Sequence, residues 1–482
     1  MSRFIGRDAE LGELRWFLQK RTASLLVVRG RRRIGKSRLI EEFAKPHRFL
    51  SMIGLPPNER TTRESELAEF ARQFSRVLDT PPVAFGDWGD AFYHLGRATA
   101  EGRVIILLDE ISWMGSKDPT FLGKLKTAWD IQFKKNDKLI LVLCGSASTW
   151  IEKNILSSTG FVGRVSRTLT LEELPLRDCA SFWPDADDNI SAYEKAKILA
   201  VTGGIPRYLE EIDTTRPSEE NIKRLCFTRG GLLVTEFEQI FNDLFLHDSP
   251  AYKRLLGGLV SGDKDNAEIT SALGIRQTGR VSSYLEELAT AGFIKRDFTW
   301  DIKTGLDRPK QSRYRLSDNY LRFYLKYMER RLGQIQRGVY RFKSLENLPE
   351  WPTMMGLQFE NLVLNSRAAI HNALDLDANS IVNENPYFQT PTKSQPGCQI
   401  DFMIQTKFSC LYVCEIRFST KPLGTDIIRE VQSRMTRLKR PKHFSCRPVL
   451  IHINGVTREL ADNDYFARVI DVSEMLRERN QA

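Results

Sequence analysis

The segment Gly30-Arg31-Arg32-Arg33-Ile34-Gly35-Lys36-Ser37 constrains this chain more than any other. It follows the apolar run Leu25-Leu26-Val27-Val28 and precedes Leu39, Ile40 and Phe43 at helical spacing. A GxxxxGKS pattern set between a strand and a helix reads as a P-loop. The glycines let the backbone close round an anion, and the helix opening near Lys36 aims its free amides and positive dipole end at the same point. In that motif the lysine reaches the β- and γ-phosphates of a nucleotide and the following hydroxyl meets Mg2+, which assigns Lys36 and Ser37. Gly30, Arg33, Ile34, Gly35 and Arg38 complete the nucleotide-binding set expected here. The arginine run 31–33 leaves three readings open: phosphate, a neighbouring subunit or water.

Two further runs, Val104-Ile105-Ile106-Leu107-Leu108 and Leu139-Ile140-Leu141-Val142-Leu143, are continuously apolar, as strands buried on both faces of a parallel sheet are. Helical patterns alternate with them, which predicts an α/β fold built on a P-loop sheet. The first run ends in Asp109-Glu110. A carboxylate there suits the Mg2+ shell, and the following Glu110 suits a catalytic role, orienting or deprotonating the attacking water. The second ends in Cys144-Gly145-Ser146, where the Ser146 hydroxyl is placed to sense the γ-phosphate; small polar residues at strand ends also simply form turns.

Over 482 residues, two to four domains are expected. The formal charge of +10 suits a polyanionic partner and equally a solvated basic surface. Seven cysteines, odd in number and without metal-ligand spacing, predict a reducing, cytoplasmic setting and no zinc site. No apolar stretch approaches the ~18 residues of a membrane span, so no membrane partner is expected.

Phe4-Ile5-Gly6-Arg7-Asp8-Ala9-Glu10-Leu11, the P-loop, Leu107-Leu108-Asp109-Glu110, Leu143-Cys144-Gly145-Ser146 and Gly203-Gly204-Ile205-Pro206-Arg207-Tyr208 together resemble the prokaryotic AAA+-like ATPases. These are related to the STAND and origin-recognition groups and carry a nuclease-like C-terminal domain. The resemblance implies Mg2+-dependent ATP hydrolysis, a homo-oligomer, and Arg7 beside the nucleotide. It also implies Arg207 as a sensor-2 arginine opening a lid helix, and Arg164 as an arginine finger toward a neighbouring subunit, with Arg167 the alternative. From the residues alone, Gly203 to Pro206 is only a turn before a helix, and Arg164 one of many exposed arginines.

From Ala251 the pattern turns to short helices with apolar Tyr252, Leu255 and Leu256, then Ala267–Leu273, then Val281, Leu285 and Leu288. Strands at 293–297 and 312–316 follow. This order predicts a winged helix with Arg276, Gln277, Thr278, Arg280 and Ser283 at DNA, and Lys295, Arg296, Lys303, Arg308 and Lys310 near phosphates. A packing module is the other reading. Between 319 and 342, Tyr320, Phe323, Tyr324 and Tyr327 interleave with bases, and their spacing favours a core stripe over a nucleic-acid clamp.

In the last third Asp401 and Glu415 interrupt apolar strands, where acids are costly unless paired or coordinating something. Glu415 and Arg417 share a strand face. With Glu360 on the preceding helix, the set resembles a PD-(D/E)XK nuclease motif, in which Glu360, Asp401 and Glu415 would ligate Mg2+ while Glu415 and Arg417 act on the phosphodiester. Gln432 would line the same pocket. Arg417 stands where the motif has lysine, and arginine cannot serve as a base; Lys421 is the one substitute nearby. The alternative is a buried ion pair of the acids with Arg417.

The expected domains are a P-loop ATPase core at 1–172, a helical lid at 173–245, a winged helix and connector at 246–348, and an α/β restriction-endonuclease-like domain at 349–482. The expected function is a Mg2+-dependent ATPase coupled to DNA binding and cleavage. The alternative is a STAND-like, nucleotide-controlled switch with a degenerate nuclease fold.

Overall fold

The computed structural model describes residues 3–56, 60–146, 148–183, 189–244, 249–393 and 395–477. The chain divides into two compact units, Met1–Glu172 and Glu173–Ala482. The expected limit between lid and winged helix, at 245/246, lies outside the described residues.

In the first unit, five strands form one parallel sheet: β1 (Ser24–Gly30), β2 (Arg48–Ile53), β3 (Val104–Asp109), β4 (Leu139–Gly145) and β5 (Val165–Leu171). Their order is β2-β3-β4-β1-β5, and every pairing is parallel. β3 and β4 are buried at every position, which is why they read as unbroken apolar runs. The core joins Leu25, Val27, Ile106, Leu108 and Leu141 to Phe70, Trp88 and Phe92 from the helices Arg63–Leu78 and Trp88–Ala98. Because all five strands run the same way, the ends of β1, β3 and β4 open on one edge, the usual place for a ligand in such a sheet.

The second unit contains a five-stranded mixed sheet of β8 (Ile381–Gln389), β9 (Cys398–Thr406), β10 (Cys410–Arg417), β11 (Ser445–His452) and β12 (Arg468–Asp471), in the order β12-β11-β10-β9-β8. β8, β9 and β10 are antiparallel neighbours, and β10, β11 and β12 run parallel. Upstream lie the helices Ser249–Gly258, Asn266–Ala272 and Gly279–Thr290, then the antiparallel hairpin β6 (Ile294–Trp300) and β7 (Asp307–Leu316).

The hairpin is not a free wing. Trp300 and Ile302 are buried in one core with Tyr387, Ile400, Met403, Leu411 and Val413 of the C-terminal sheet. Trp300 Nε1 donates to Gln405 Oε1 at 2.7 Å, Gln405 Nε2 to the Ile302 carbonyl at 2.9 Å, and Thr299 Oγ1 to the Phe388 carbonyl at 2.8 Å. The tip is pinned as well: Asn383 Nδ2 donates to Asp307 Oδ1 at 2.8 Å, and a side chain at Gly305 would collide with Val382. Residues on both sides of position 348 therefore share one core, and the edge strand β8 is covered instead of open to another chain.

The aromatic stripe Tyr320, Phe323, Tyr324 and Tyr327 is buried, as its spacing predicts. Its bases are not all on a solvated face: Arg322 is buried too, with Nη2 donating to the Leu316 carbonyl. None of the seven cysteines forms a disulfide, and no helix among the described residues is long and apolar enough to cross a membrane.

Candidate functional site

The loop after β1 is held open by backbone conformations that its sequence supplies. Gly30 has φ 147°, and a Cβ there would stand 2.5 Å from the Leu171 carbonyl oxygen; Gly35 has φ 91°, just before the helix Lys36–Ala44. Arg33 takes a left-handed φ of 65°, a conformation that costs a non-glycine residue about 1 kcal/mol or more. Arg7 supports the loop from behind. It is buried and donates to the carbonyl of Ile34 at 3.3 Å and of Glu172 at 2.5 Å, while also pairing with Glu10. Arg7 therefore acts on the loop's backbone.

Lys36 is buried, and its Nζ donates to the carbonyls of Gly30 and Arg31, both at 3.1 Å. An ammonium has three protons, so these two carbonyls leave Lys36 one donor for a further acceptor. Ser37 Oγ donates to Asp109 Oδ2 at 2.5 Å, which brings together the hydroxyl and carboxylate that the sequence assigned to Mg2+. The other Asp109 oxygen accepts the Glu110 amide at 3.0 Å.

Glu110 itself sits at φ 48°, a left-handed turn that points its side chain back over the strand ends. Its Oε2 accepts the Ser146 amide at 3.1 Å and the Ser146 hydroxyl at 3.0 Å. Ser146, expected to sense a phosphate, thus meets the carboxylate expected to handle water. Gly54 closes the far side. Its amide donates to the Asp109 carbonyl at 3.0 Å, and a Cβ on it would come within 2.8 Å of the Glu110 carbonyl. Cys144, between the two acids and Lys36, is buried, and burial holds its thiol protonated, well above the ordinary range.

The two finger candidates differ. Arg164 is clamped by Asp130 through Nε at 3.1 Å and Nη2 at 2.9 Å, and the Arg164 guanidinium holds the Asp130 carboxyl far below the usual carboxylate range. Arg167 pairs with Glu13 at 2.6 Å, both exposed. In the second unit Arg207 is about half exposed and pairs with Glu210 at 3.2 Å and Glu211 at 2.7 Å.

In the C-terminal sheet, continuing the β9–β10 register from Phe402 opposite Cys414 sets Asp401 opposite Glu415. The three-acid metal set does not assemble as expected. Among the described residues no group of three or more His, Cys, Asp or Glu is arranged to hold a metal ion. Instead Arg434, from the helix Asp426–Arg437, places Nη1 3.3 Å from Asp401 Oδ1 and 2.5 Å from Glu415 Oε2. Asp401 Oδ2 accepts the Ile416 amide at 2.9 Å. Glu415 Oε1 lies 2.7 Å from Arg417 Nη2, an ion pair without hydrogen-bond alignment. Arg417 also pairs with Glu430.

Glu360 is raised well above the ordinary carboxyl range by burial and then by Asp401, against the pull of Arg315 and Arg322. Gln432 and Lys421 are exposed. Sequence reasoning missed Arg434. The available signal was its spacing: Ile427 and Val431 form the buried stripe of that helix, and Arg434 follows on the same face.

Residues 4–212 match a family described as an ATPase domain predominantly from Archaea. This match and the loop geometry support an archaeal-type P-loop ATPase. The Walker-type ATPase paby2304 of Pyrococcus abyssi is similar in structure, with a TM-score of 0.50 and 17% identity, over 67% of this chain and 96% of that one. An uncharacterised protein of Methanocaldococcus jannaschii, MJECL04, is 26% identical over 368 residues, covering 74% of this chain and 76% of the relative. The ORC2 protein of Aeropyrum pernix, solved as ADPNP–ADP complexes, aligns with a TM-score of 0.42 and 14% identity, over 70% of this chain and 96% of that one.

Proposed function

We propose that this chain is a Mg2+-dependent ATP hydrolase whose nucleotide cycle acts on DNA. The observation that carries the hydrolase reading is the convergence of Lys36, Ser37, Asp109, Glu110 and Ser146 on one edge of a parallel sheet. Lys36 would exchange its two loop carbonyls for phosphate oxygens, a charge-assisted gain at no cost in burial. The amides from Gly35 onward, at the start of the helix Lys36–Ala44, would face the same anion.

Ser37 and Asp109 fit Mg2+ as a hydroxyl and a carboxylate already in contact, and they would hold it. Mg2+ supplies neutralisation of the charge that develops on the phosphates. Glu110, anchored by Ser146, would accept the proton of the attacking water or hold that water in line. The sequence resemblance alone assigns Arg207 a phosphate-binding role. In a homo-oligomer Arg167, with a side chain 53% exposed against 27% for Arg164, is better placed to serve a neighbour's nucleotide, although each must first leave an acid partner.

Support for DNA comes from exposed Arg276, Gln277, Thr278, Arg280 and Ser283 at the start of the helix Gly279–Thr290. A helix presented this way, followed by a hairpin, suits a major groove. The docked hairpin leaves Lys303 and Lys310 exposed for backbone contact, while Arg296 is engaged by Glu286 and Arg308 by Asp301. Cleavage by the C-terminal sheet is not carried into this reading, because Arg434 and Arg417 are already paired with Asp401 and Glu415.

The test is direct. Lys36→Ala is expected to abolish ATP turnover, and Glu110→Gln to keep nucleotide bound while stopping turnover. Wild-type turnover in the Lys36 variant overturns the hydrolase reading. Duplex affinity that is the same in 50 mM and 200 mM salt overturns the DNA reading and favours a nucleotide-controlled switch.

A further inference from the structure

Asp401 and Glu415 stand opposite each other on neighbouring strands, and a cation already stands between them. All four oxygens of Asp401 and Glu415 are accounted for: Oδ1 and Oε2 by Arg434, Oε1 by Arg417, and Oδ2 by the Ile416 amide. Mg2+ needs about six oxygens at about 2.0–2.1 Å and would have to displace the Arg434 guanidinium to gain two of them. That guanidinium is a permanent cation with no open coordination position, so it can neutralise the acids but cannot polarise water.

Its placement is set by the fold. Ile427 and Val431 seat the helix Asp426–Arg437 on the sheet, packing with Leu450 and Leu460, and so bring Arg434 over β9 and β10. The Arg434 side chain is 30% exposed, so it enters from the rim and ends on Glu415, which is 4% exposed.

We propose that Arg434 is a built-in counter-ion occupying the position a divalent ion would take between Asp401 and Glu415, and that removing it unmasks a divalent-cation site. As folded, the sheet then holds its acids as an electrostatic latch tying the helix to two strands. This does not depend on the nucleotide site.

The experiment uses the full chain carrying Asp109→Asn, so that the nucleotide site contributes no metal, and Mn2+ as the probe, counted by the loss of the free-ion EPR signal without nucleotide. With Arg434 intact, adding Asp401→Asn is expected to change nothing. With Arg434→Gln, one Mn2+ per chain is expected to appear and to disappear when Asp401→Asn is added. Mn2+ bound by the chain with Arg434 intact and lost with Asp401→Asn overturns the proposal. So does an Arg434→Gln chain with the parent's circular dichroism and no added Mn2+. Should Arg434→Gln fail to fold, the arm with Arg434 intact still decides against the counter-ion when it shows Asp401-dependent Mn2+.

Discussion

Replacing Ser146 by alanine separates two roles that its position allows. The hydroxyl gives Glu110 Oε2 a 3.0 Å hydrogen bond, and the amide of the same residue gives it a second at 3.1 Å. A hydrogen bond to a charged group contributes about 1.5–3 kcal/mol. Alanine removes one and keeps the other, and water can reach the partly exposed Glu110, so the loss of positioning is about 1–2 kcal/mol. At about 1.4 kcal/mol per tenfold, kcat for ATP should fall about 5- to 30-fold.

KM should move less than about threefold, since the Ser146 amide and hydroxyl both reach Glu110 and not the loop. Steady-state ATP turnover with Mg2+ reads both constants, and a fluorescent nucleotide reads affinity separately. In a Glu110→Gln background the serine change should cost nothing further, because the carboxylate it positions is gone. An unchanged kcat refutes the positioning role. A tenfold rise in KM at constant kcat makes Ser146 a nucleotide contact instead.

Gly30→Ala should weaken nucleotide binding more than about tenfold, because the new methyl meets the Leu171 carbonyl at 2.5 Å on a backbone at φ 147°; equilibrium binding checks it, and wild-type affinity would contradict the close approach. Burial pushes the Glu66 carboxyl up to about 7 from 4.5. The folded state thus keeps a proton that the unfolded chain releases, and stability from this group is complete below about pH 4.5 and lost as pH rises through about 7, a swing of up to about 3 kcal/mol. Glu66→Gln should therefore gain stability over wild type at pH 8 and not at pH 5, and an equal difference in unfolding midpoint at both values would show the shift to be absent. Replacing Arg276 and Arg280 by alanine should weaken duplex binding and flatten its salt dependence by about two phosphate contacts, which a salt titration of fluorescence anisotropy measures.

The parts of the fold that were legible from residues are those where one local rule dominates. β3 and β4 are apolar throughout because both faces are covered, and the loop declares itself because only glycine tolerates its backbone at Gly30 and Gly35. The shared strand face of Glu415 and Arg417 followed from strand periodicity. What sequence could not supply are partners chosen by tertiary packing. Asp130 captures Arg164 from 34 residues away, and nothing in either segment announces it. Arg434 looks like one more base on a polar helix until the helix is seated on the sheet. Arg7 has the same history: it read as a nucleotide neighbour, and its burial instead turns it onto the loop's own carbonyl.

The docking of Trp300 and Ile302 against the C-terminal sheet also sets a schedule. Their core partners run from Tyr387 to Phe444, so they emerge 87 to 144 residues after Trp300. At about 5–20 residues per second of synthesis, the hairpin waits about 4 to 30 s with an indole and an isoleucine uncovered. During that interval the nascent chain holds a hairpin with a sticky, uncovered face, although the first unit already has all five of its strands. The growing chain is therefore most vulnerable to aggregation late, and a stop codon anywhere between 300 and 387 should yield a product that precipitates or is captured by chaperones.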